Sequence, residues 1–369
     1  MGTFVAGWII FLSAVFNFIF GALLPIIPKL SLEKAGLAFT LFYFFKAACL
    51  APAGWITDRL GHLAGLSVAA FFQCLALLGL ILFPENPWIG RIFEGIALAQ
   101  GTVSAISYLR LLSESPEKFA KRMKALMSIS GVGFVFGPMA AYSMSGMGTA
   151  FVLNGLLGVM VLCFVFQLSL QFRLSRAGFA APDAAVSNPN APVEKMGAVF
   201  VWTLVGFAGA KAVSVGWQPI IAWWVTDVFF FNPLTAGLSF LVLGIALSLG
   251  SAKPFVKIFW IFGPIGFLLM ERALRYPSML WWISLGIVGY WWGSYVSIAF
   301  GKLGWGDSRS IGKWNSLWLF AAEIPTALVP AVIWPWRDPW DIRRLVLGCA
   351  LIFASVLGYW FGIRKSSRA

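Results

Sequence analysis

Gly54-Trp55-Ile56-Thr57-Asp58-Arg59-Leu60-Gly61-His62 is a short polar break between two apolar runs, about 35–56 and 63–83. Each run reaches the roughly 20 residues that carry a helix across a bilayer. Glycine near a helix end lets backbones approach closely, and Asp58 and Arg59 can cap helix ends and pair across a loop. The stretch therefore reads as a tight reversal between two membrane-spanning helices. Working outward from it, the same alternation gives further spans at about 4–27, 88–111, 124–145 and 149–171. The rest follow at about 198–225, 233–252, 256–270, 278–300, 313–333 and 343–362. The ninth, 256–270, is the weakest: it is short, contains Pro264 and has Lys253 and Lys257 snorkelling at its start.

Composition supports the same reading. Of 369 residues, 60% are hydrophobic and 11% charged, with a mean hydropathy of +0.85. A water-soluble domain carries about 25% charged residues, so this chain could not cover its own surface in water. The expected fold is an all-α membrane protein of twelve transmembrane helices. The segment 173–196, with Arg173, Arg176, Pro182, Asp183, Pro189, Asn190 and Pro192, reads as a flexible cytoplasmic linker. It separates a first six-helix bundle, 1–172, from a second, 197–369.

The net charge of +13 would suggest nucleic acid in a soluble protein. Here its distribution argues otherwise. With the termini inside, seventeen of the 27 Lys and Arg fall in cytoplasmic segments, seven outside and three (Lys46, Arg91 and Lys211) within spans. By the positive-inside rule both termini are expected in the cytoplasm. The charge then reports topology, and no nucleic-acid partner is expected. One His (His62) and four apolar-embedded Cys give no metal set and no disulfide framework. Residues 1–24 have no basic region before the apolar run, which is itself long enough to span, so no cleavable signal is expected. Sixteen of the 19 Trp follow residue 197. Trp223, Trp224, Trp281, Trp282, Trp334, Trp336 and Trp340 are expected in an interfacial belt, while Trp217, Trp291 and Trp292 lie deeper.

Three short patterns carry a resemblance. Gly54 to His62 contains G-x-x-x-D-R-x-G at the inner end of the second span; the fourth span has Arg91-Ile92-Phe93-Glu94-Gly95. The fifth has Gly133-Phe134-Val135-Phe136-Gly137-Pro138. In this order and on these spans they resemble the loop motif, the R-x-x-[QE]-G motif and the antiporter motif of the major facilitator superfamily, in particular its drug:proton antiporter-like branch. His62 stands where the loop motif has its first closing cation, and Ala141-Tyr142 where the antiporter motif has Gly-Gly. The resemblance implies two helical bundles around a central cavity and alternating access by their rocking. It also implies gating or conformational roles for Gly54, Asp58, Arg59, Gly61, Gly133, Gly137 and Pro138.

Five ionisable residues lie inside spans, where each costs at least roughly 2.5–3.5 kcal/mol and needs a reason. Arg91 and Glu94, three apart, share a helix face and can pair. Lys46, Lys211 and Glu323 have no neutralising partner at helical spacing, so they must pair across spans or meet substrate. Glu94 and Glu323 are the candidates for proton coupling. Lys46, Arg91, Lys211, Asn17, Gln218, Tyr290, Trp291 and Tyr295 are the candidates for substrate binding, and the intramembrane charge of +1 suits an anionic or zwitterionic amphiphile.

The expected function is secondary active transport: proton-coupled efflux of a small organic solute by a monomer in an inner or plasma membrane. The alternatives are a proton-independent facilitator or importer of a small metabolite or siderophore, or a lipid flippase. No cofactor or metal is expected. An enzyme is not, because no nucleophile–base spacing appears.

Overall fold

The computed structural model describes residues 7–8, 32–143, 148–174, 176, 197–217, 224, 229, 233–254, 259–275, 279–304, 311–333, 336, 338 and 341–364. Among these residues there are eleven α-helices and no strand. They are α1 (Leu32–Leu60), α2 (His62–Leu82), α3 (Trp88–Leu111), α4 (Pro116–Ser143), α5 (Thr149–Leu174) and α6 (Ala198–Gly216). Then come α7 (Pro233–Ala252), α8 (Phe259–Arg275), α9 (Met279–Leu303), α10 (Ile311–Ile333) and α11 (Ile342–Gly358), whose end continues as a π-helical turn, Tyr359–Arg364. Thus α1 is the second expected span and α11 the twelfth. The first span lies outside the described residues apart from Gly7 and Trp8, and so does most of the linker.

Apolar length places the helices. Six, including α2, α3 and α9, are long and apolar enough to cross a membrane. Much of their exposed surface is apolar, among it Phe44, Leu78, Leu162 and Phe353, and Leu249 on α7 is exposed in the same way; such a surface suits lipid, not water. Two helix ends depart from expectation for polar reasons. α4 begins at Pro116, eight residues before the apolar run at 124, because Ser115 caps it: its Oγ accepts from Lys118 N at 3.3 Å. α8 runs past 270 to Arg275, and its additional turn carries a buried carboxylate, Glu271.

In chain order the helices are an early group, α1–α5, and a late group, α6–α11, and the two touch along two seams. α1 packs on α10, and α4 packs on α7 and α9. Glycine permits the first crossing: a Cβ at Gly54 would sit 2.5 Å from Ser316 Oγ and 2.8 Å from Gly312 O. On the second seam Ser248 Oγ donates to Ser128 O at 2.9 Å, beside Gly131, where a Cβ would meet Ser248 at 2.9 Å. Between α1 and α2 the backbone reverses at Gly61, with φ of 89°, a left-handed conformation that disfavours other residues.

The tryptophans do not all form a belt. Trp224 and Trp281 are fully buried. The Trp281 indole donates to Ser239 Oγ at 3.1 Å, and Trp224 lies beneath a guanidinium. Each polar partner is internal, which draws the ring inward from the interface. Trp292 stacks on Phe207, 6.0 Å between centroids, within the core of the late group.

Candidate functional site at the seam between the helix groups

Near the middle of α1 and of α10, Lys46 and Glu323 face each other across the first seam. Lys46 Nζ lies 2.7 Å from Glu323 Oε1. Lys211, from α6, pairs with the same oxygen. All three are buried, Glu323 with 1% of its surface exposed. One carboxylate thus holds two ammonium groups, one from each helix group, and the trio carries a net +1. In so dry a place the pairing is what makes the lysines tolerable. Phe207 packs 5.7 Å from Lys211 Nζ, adding a ring face to the cation.

A second pair stands beside the first. Arg91 and Glu94, one to two turns into α3, form a buried ion pair as their spacing predicted. The Arg91 guanidinium lies 4.0 Å over the Phe42 ring of α1. α3 comes this close to α1 because Gly95 has no side chain; a Cβ there would meet Phe42 O at 2.6 Å and Lys46 N at 3.0 Å. Lys46 is within electrostatic range of Glu94, and Tyr43 within range of Arg91, Glu94 and Glu323. The five charges therefore form one cluster of +1. Several of its polar atoms make no hydrogen bond: Glu94 Oε1, Glu323 Oε2 and Tyr43 OH. Ser214 Oγ, one turn beyond Lys211, and Trp217 Nε1 share that condition. Buried polar groups are ordinarily satisfied, and these atoms have the chemistry to hydrogen-bond a polar group brought between the helices.

The Asp58 end of the seam is held shut by the stretch that opened the sequence. Asp58 Oδ1 accepts from Gly312 N at 2.7 Å and Oδ2 from Lys313 N at 3.0 Å. One side chain of α1 thereby caps the first turn of α10 in the other group. Deeper, Asn315 Nδ2 donates to Ser107 Oγ of α3 at 3.0 Å, again between groups. Gln100, Thr57 and Ser104 hydrogen-bond one another at 2.9–3.0 Å and tie α1 to α3. Arg59 is exposed and lies over Trp55 at 5.0 Å. Gly133 and Gly137 are buried in α4, and the helix continues unbroken through Pro138.

The fold, as distinct from the sequence, has counterparts among known proteins. No protein-family model matches the sequence, and no curated protein matches it. Solved structures do match. The chain is similar to the crystal structure of the human organic anion transporter MFSD10 (TETRAN), with a TM-score of 0.71 and 15% identity over 97% of this chain and 99% of that one. It is also similar to a major facilitator superfamily transporter, FucP, in the outward conformation. There the TM-score is 0.68, with 13% identity over 98% of each chain. The chain has the major facilitator fold. That fold, with the apolar helices, makes it an integral multi-pass membrane protein. At such identities the likeness gives the architecture, and function must come from the site.

Within the major facilitator fold the expected site residues separate into two sets. Lys46, Arg91, Glu94, Lys211 and Glu323 come together. Tyr290, Trp291 and Tyr295 do not join them. The Tyr290 hydroxyl donates to Lys253 O at 2.6 Å, and that of Tyr295 to Ser355 O at 3.4 Å. The Trp291 ring packs at Gly263 of α8. These contacts lie inside the late group, where α9 packs on α6, α7 and α8; α9 also packs on α4. Asn17 and Gln218 lie outside the described residues.

One buried assembly had no place in the sequence reading. Arg344 of α11 pairs with Glu271 of α8 through Nε to Oε1 at 3.2 Å and Nη2 to Oε2 at 2.8 Å. Its Nη1 donates to Trp336 O at 3.1 Å and Asp338 O at 2.6 Å, and Trp224 lies 4.7 Å from the guanidinium. Arg344 is therefore no solvated loop cation. The available signal was Arg343-Arg344 beside a helix start: adjacent residues point about 100° apart, so one of the pair turns inward.

Proposed function

We propose that the protein is a secondary transporter of a small organic solute, working by alternating access between bundles 1–172 and 197–369. The linker 173–196 joins them on the cytoplasmic side, where both termini also lie. The observation that carries this reading is the Lys46–Glu323–Lys211 group: a buried ionic cluster with unused acceptor capacity, divided between the two helix groups. Rocking the groups apart at the Asp58 end would break Lys46 from Glu323 and expose both. A solute or proton that stabilises the separated charges then shifts the equilibrium between the two states.

Charge decides how solute and proton are linked. The excess positive charge favours a solute with an anionic group, held by Lys46 and Lys211, and the name of MFSD10 as an organic anion transporter agrees with that chemistry. A purely anionic solute binds both lysines best when Glu323 is protonated, so anion and proton travel together. A zwitterion also brings an ammonium group, which displaces the proton from Glu94 or Glu323, so the two travel in opposite directions. Efflux driven by proton entry is the second case, and it is the one we assign.

Proteoliposomes with an imposed pH gradient test it, using labelled phenylalanine as the zwitterionic probe and benzoate as the anionic one. The expected result is phenylalanine flux opposite to the proton gradient, lost in Glu94→Gln and Glu323→Gln. Equal flux in both variants and wild type would remove proton coupling. Unchanged probe binding in Lys46→Ala and Lys211→Ala would remove the anion site.

A further inference from the structure

Two buried donors at the end of α6 bond nothing. Ser214 is 7% exposed and Trp217 wholly buried, and neither Ser214 Oγ nor Trp217 Nε1 has a hydrogen-bond partner. Other buried helical hydroxyls turn back to the carbonyl four residues earlier, as Thr203 does to Val199 O at 2.7 Å and Ser355 to Leu351 O at 3.0 Å. The buried Trp281 and Trp318 indoles each reach a side-chain oxygen, Ser239 Oγ at 3.1 Å and Asn315 Oδ1 at 3.0 Å. Register fixes where the two unbonded donors stand. α6 and α10 run side by side in the same direction, since Phe200 meets Trp314 at 5.1 Å, Phe207 meets Trp318 at 6.0 Å and Lys211 meets Glu323. Asp58 holds the start of α10 at Gly312 and Lys313, so Ser214 and Trp217 lie beyond the Lys211–Glu323 pair, on the side away from Asp58. Phe207, Lys211 and Ser214, at i, i+4 and i+7, share one face of α6. Trp217 follows, its backbone N–H reaching Val213 O at 3.3 Å and its ring set edge-on to Phe267. On the Asp58 side the polar groups of the seam bond one another, Thr57 with Ser104 and Asn315 with Ser107. A bonded network thus stands on one side of the ionic group and unbonded donors on the other.

Resting on the transport reading above, we infer that Ser214 and Trp217 are specificity-determining residues that bind the anionic group of the solute, a carboxylate, as it draws Lys211 away from Glu323. Lys211, Ser214 and Trp217 bring an ammonium, a hydroxyl and an indole N–H to successive turns of one helix end, and of these only the hydroxyl can also accept. A carboxylate has two oxygens able to take about four such bonds, so it uses all three donors. A cation would find only the serine oxygen, and an alcohol lacks the charge that competes for Lys211. The side of approach follows as well: with the Asp58 end shut, a carboxylate reaches these donors from the opposite end.

Equilibrium binding of labelled benzoate to the purified full-length protein in lipid, with no gradient imposed, tests this. Ser214→Ala and Trp217→Phe should each weaken binding about ten-fold, the scale of one hydrogen bond to a charged group, and Ser214→Thr should restore it. Trp217→Phe keeps a ring against Phe267 while removing the N–H. Ser214→Ala removes a hydroxyl that bonds nothing, so its melting without benzoate should match the wild type; a destabilised variant would overturn the inference, because the hydroxyl would then be structural. Benzyl alcohol, with the same ring and no charge, should compete poorly, and competition equal to that of unlabelled benzoate would overturn the carboxylate assignment. Absence of benzoate binding to the wild type would overturn it as well. Benzoate bound equally by the wild type and both variants, but lost in Lys211→Ala, would remove the two donors and leave the lysine site standing. Failure of the transport reading looks different, as benzoate binding with the expected losses but no flux in proteoliposomes.

Discussion

Arg344 and Glu271 lie wholly within the late helix group, whereas Lys46, Glu323 and Lys211 are divided between the two groups. In the first assembly the carboxylate is gripped twice by one guanidinium, whose remaining donors reach two backbone carbonyls. In the second, one carboxylate oxygen serves two lysines while the other serves nothing. α10 separates them: Glu323 is at its middle, and Arg344 follows the loop beyond its end. Planar guanidinium suits a fixed bidentate clamp, while ammonium is a point charge that can change partners. The difference separates their roles: one fastens α8 to α11, and the other is, on the proposed transport cycle, the equilibrium that a solute or proton would shift.

Removing one partner from each assembly gives the sharpest contrast. Arg344→Ala would leave Glu271 buried without its cation, a loss of about 3–5 kcal/mol. Thermal unfolding in detergent should show a far larger drop than Asp58→Asn or Asp341→Asn produces, and Arg344→Lys should not restore it because the fork geometry is lost. Replacing the seam trio together by Met at Lys46 and Lys211 and Gln at Glu323 should act in the opposite way. Stability should be kept or raised, since buried ionic groups are often less stable than apolar ones of like volume, while flux disappears. If the trio proved as costly to remove as Arg344, the distinction between clamp and switch would fall.

The sequence made one assembly legible and hid the other, for a physical reason. A lysine or glutamate in the middle of a span has no water to reach, so its burial follows from position alone, and Lys46, Lys211 and Glu323 were forced to seek partners across spans. Which lysine pairs with which carboxylate was not legible, because helices apolar all round carry no stripe to fix their facing. Tyr290, Trp291 and Tyr295 illustrate the same blindness: their types suit a pocket, but the packing of α9 turned them into the late group. Glu271 and Arg344 lay within a turn of span ends, where solvation is the default reading. The span limits themselves were clear where apolar and helical lengths agree, as for Trp88–Leu111, and not where a polar cap such as Ser115 starts the helix early.

A smaller effect is expected where the seam closes without ion pairs. Asp58 holds two backbone N–H groups of α10, an interaction worth about 1 kcal/mol as a cap. Asp58→Asn should therefore shift the balance toward opening at that end by roughly five-fold. Gly54→Val should go further, since its Cβ cannot fit against Gly312 O and Ser316 Oγ. Spin labels on the exposed Leu60 and Leu317 would read both as a longer distance population. An unchanged distance distribution in both variants would mean that this crossing does not gate the seam.

The smallest effect belongs to the ion pair next to the clamp. Asp341 caps α11, its Oδ1 accepting from Arg343 N at 2.9 Å, and its Oδ2 lies 2.7 Å from Arg343 Nη2. The hydrogen bonds from Arg343 hold this carboxyl below the usual carboxylate range. A carboxyl whose folded pKa is depressed contributes stability above its unfolded pKa and loses it as pH falls through the folded one. Wild type and Asp341→Asn should therefore differ in melting temperature slightly at neutral pH and converge on acidification. Arg343 is largely exposed, so high salt should shrink the neutral-pH difference, whereas the loss in Arg344→Ala should persist in salt. The ion pairs of two adjacent arginines of one helix would then differ in salt sensitivity, which is the contrast between a solvated pair and a buried clamp reduced to neighbouring residues.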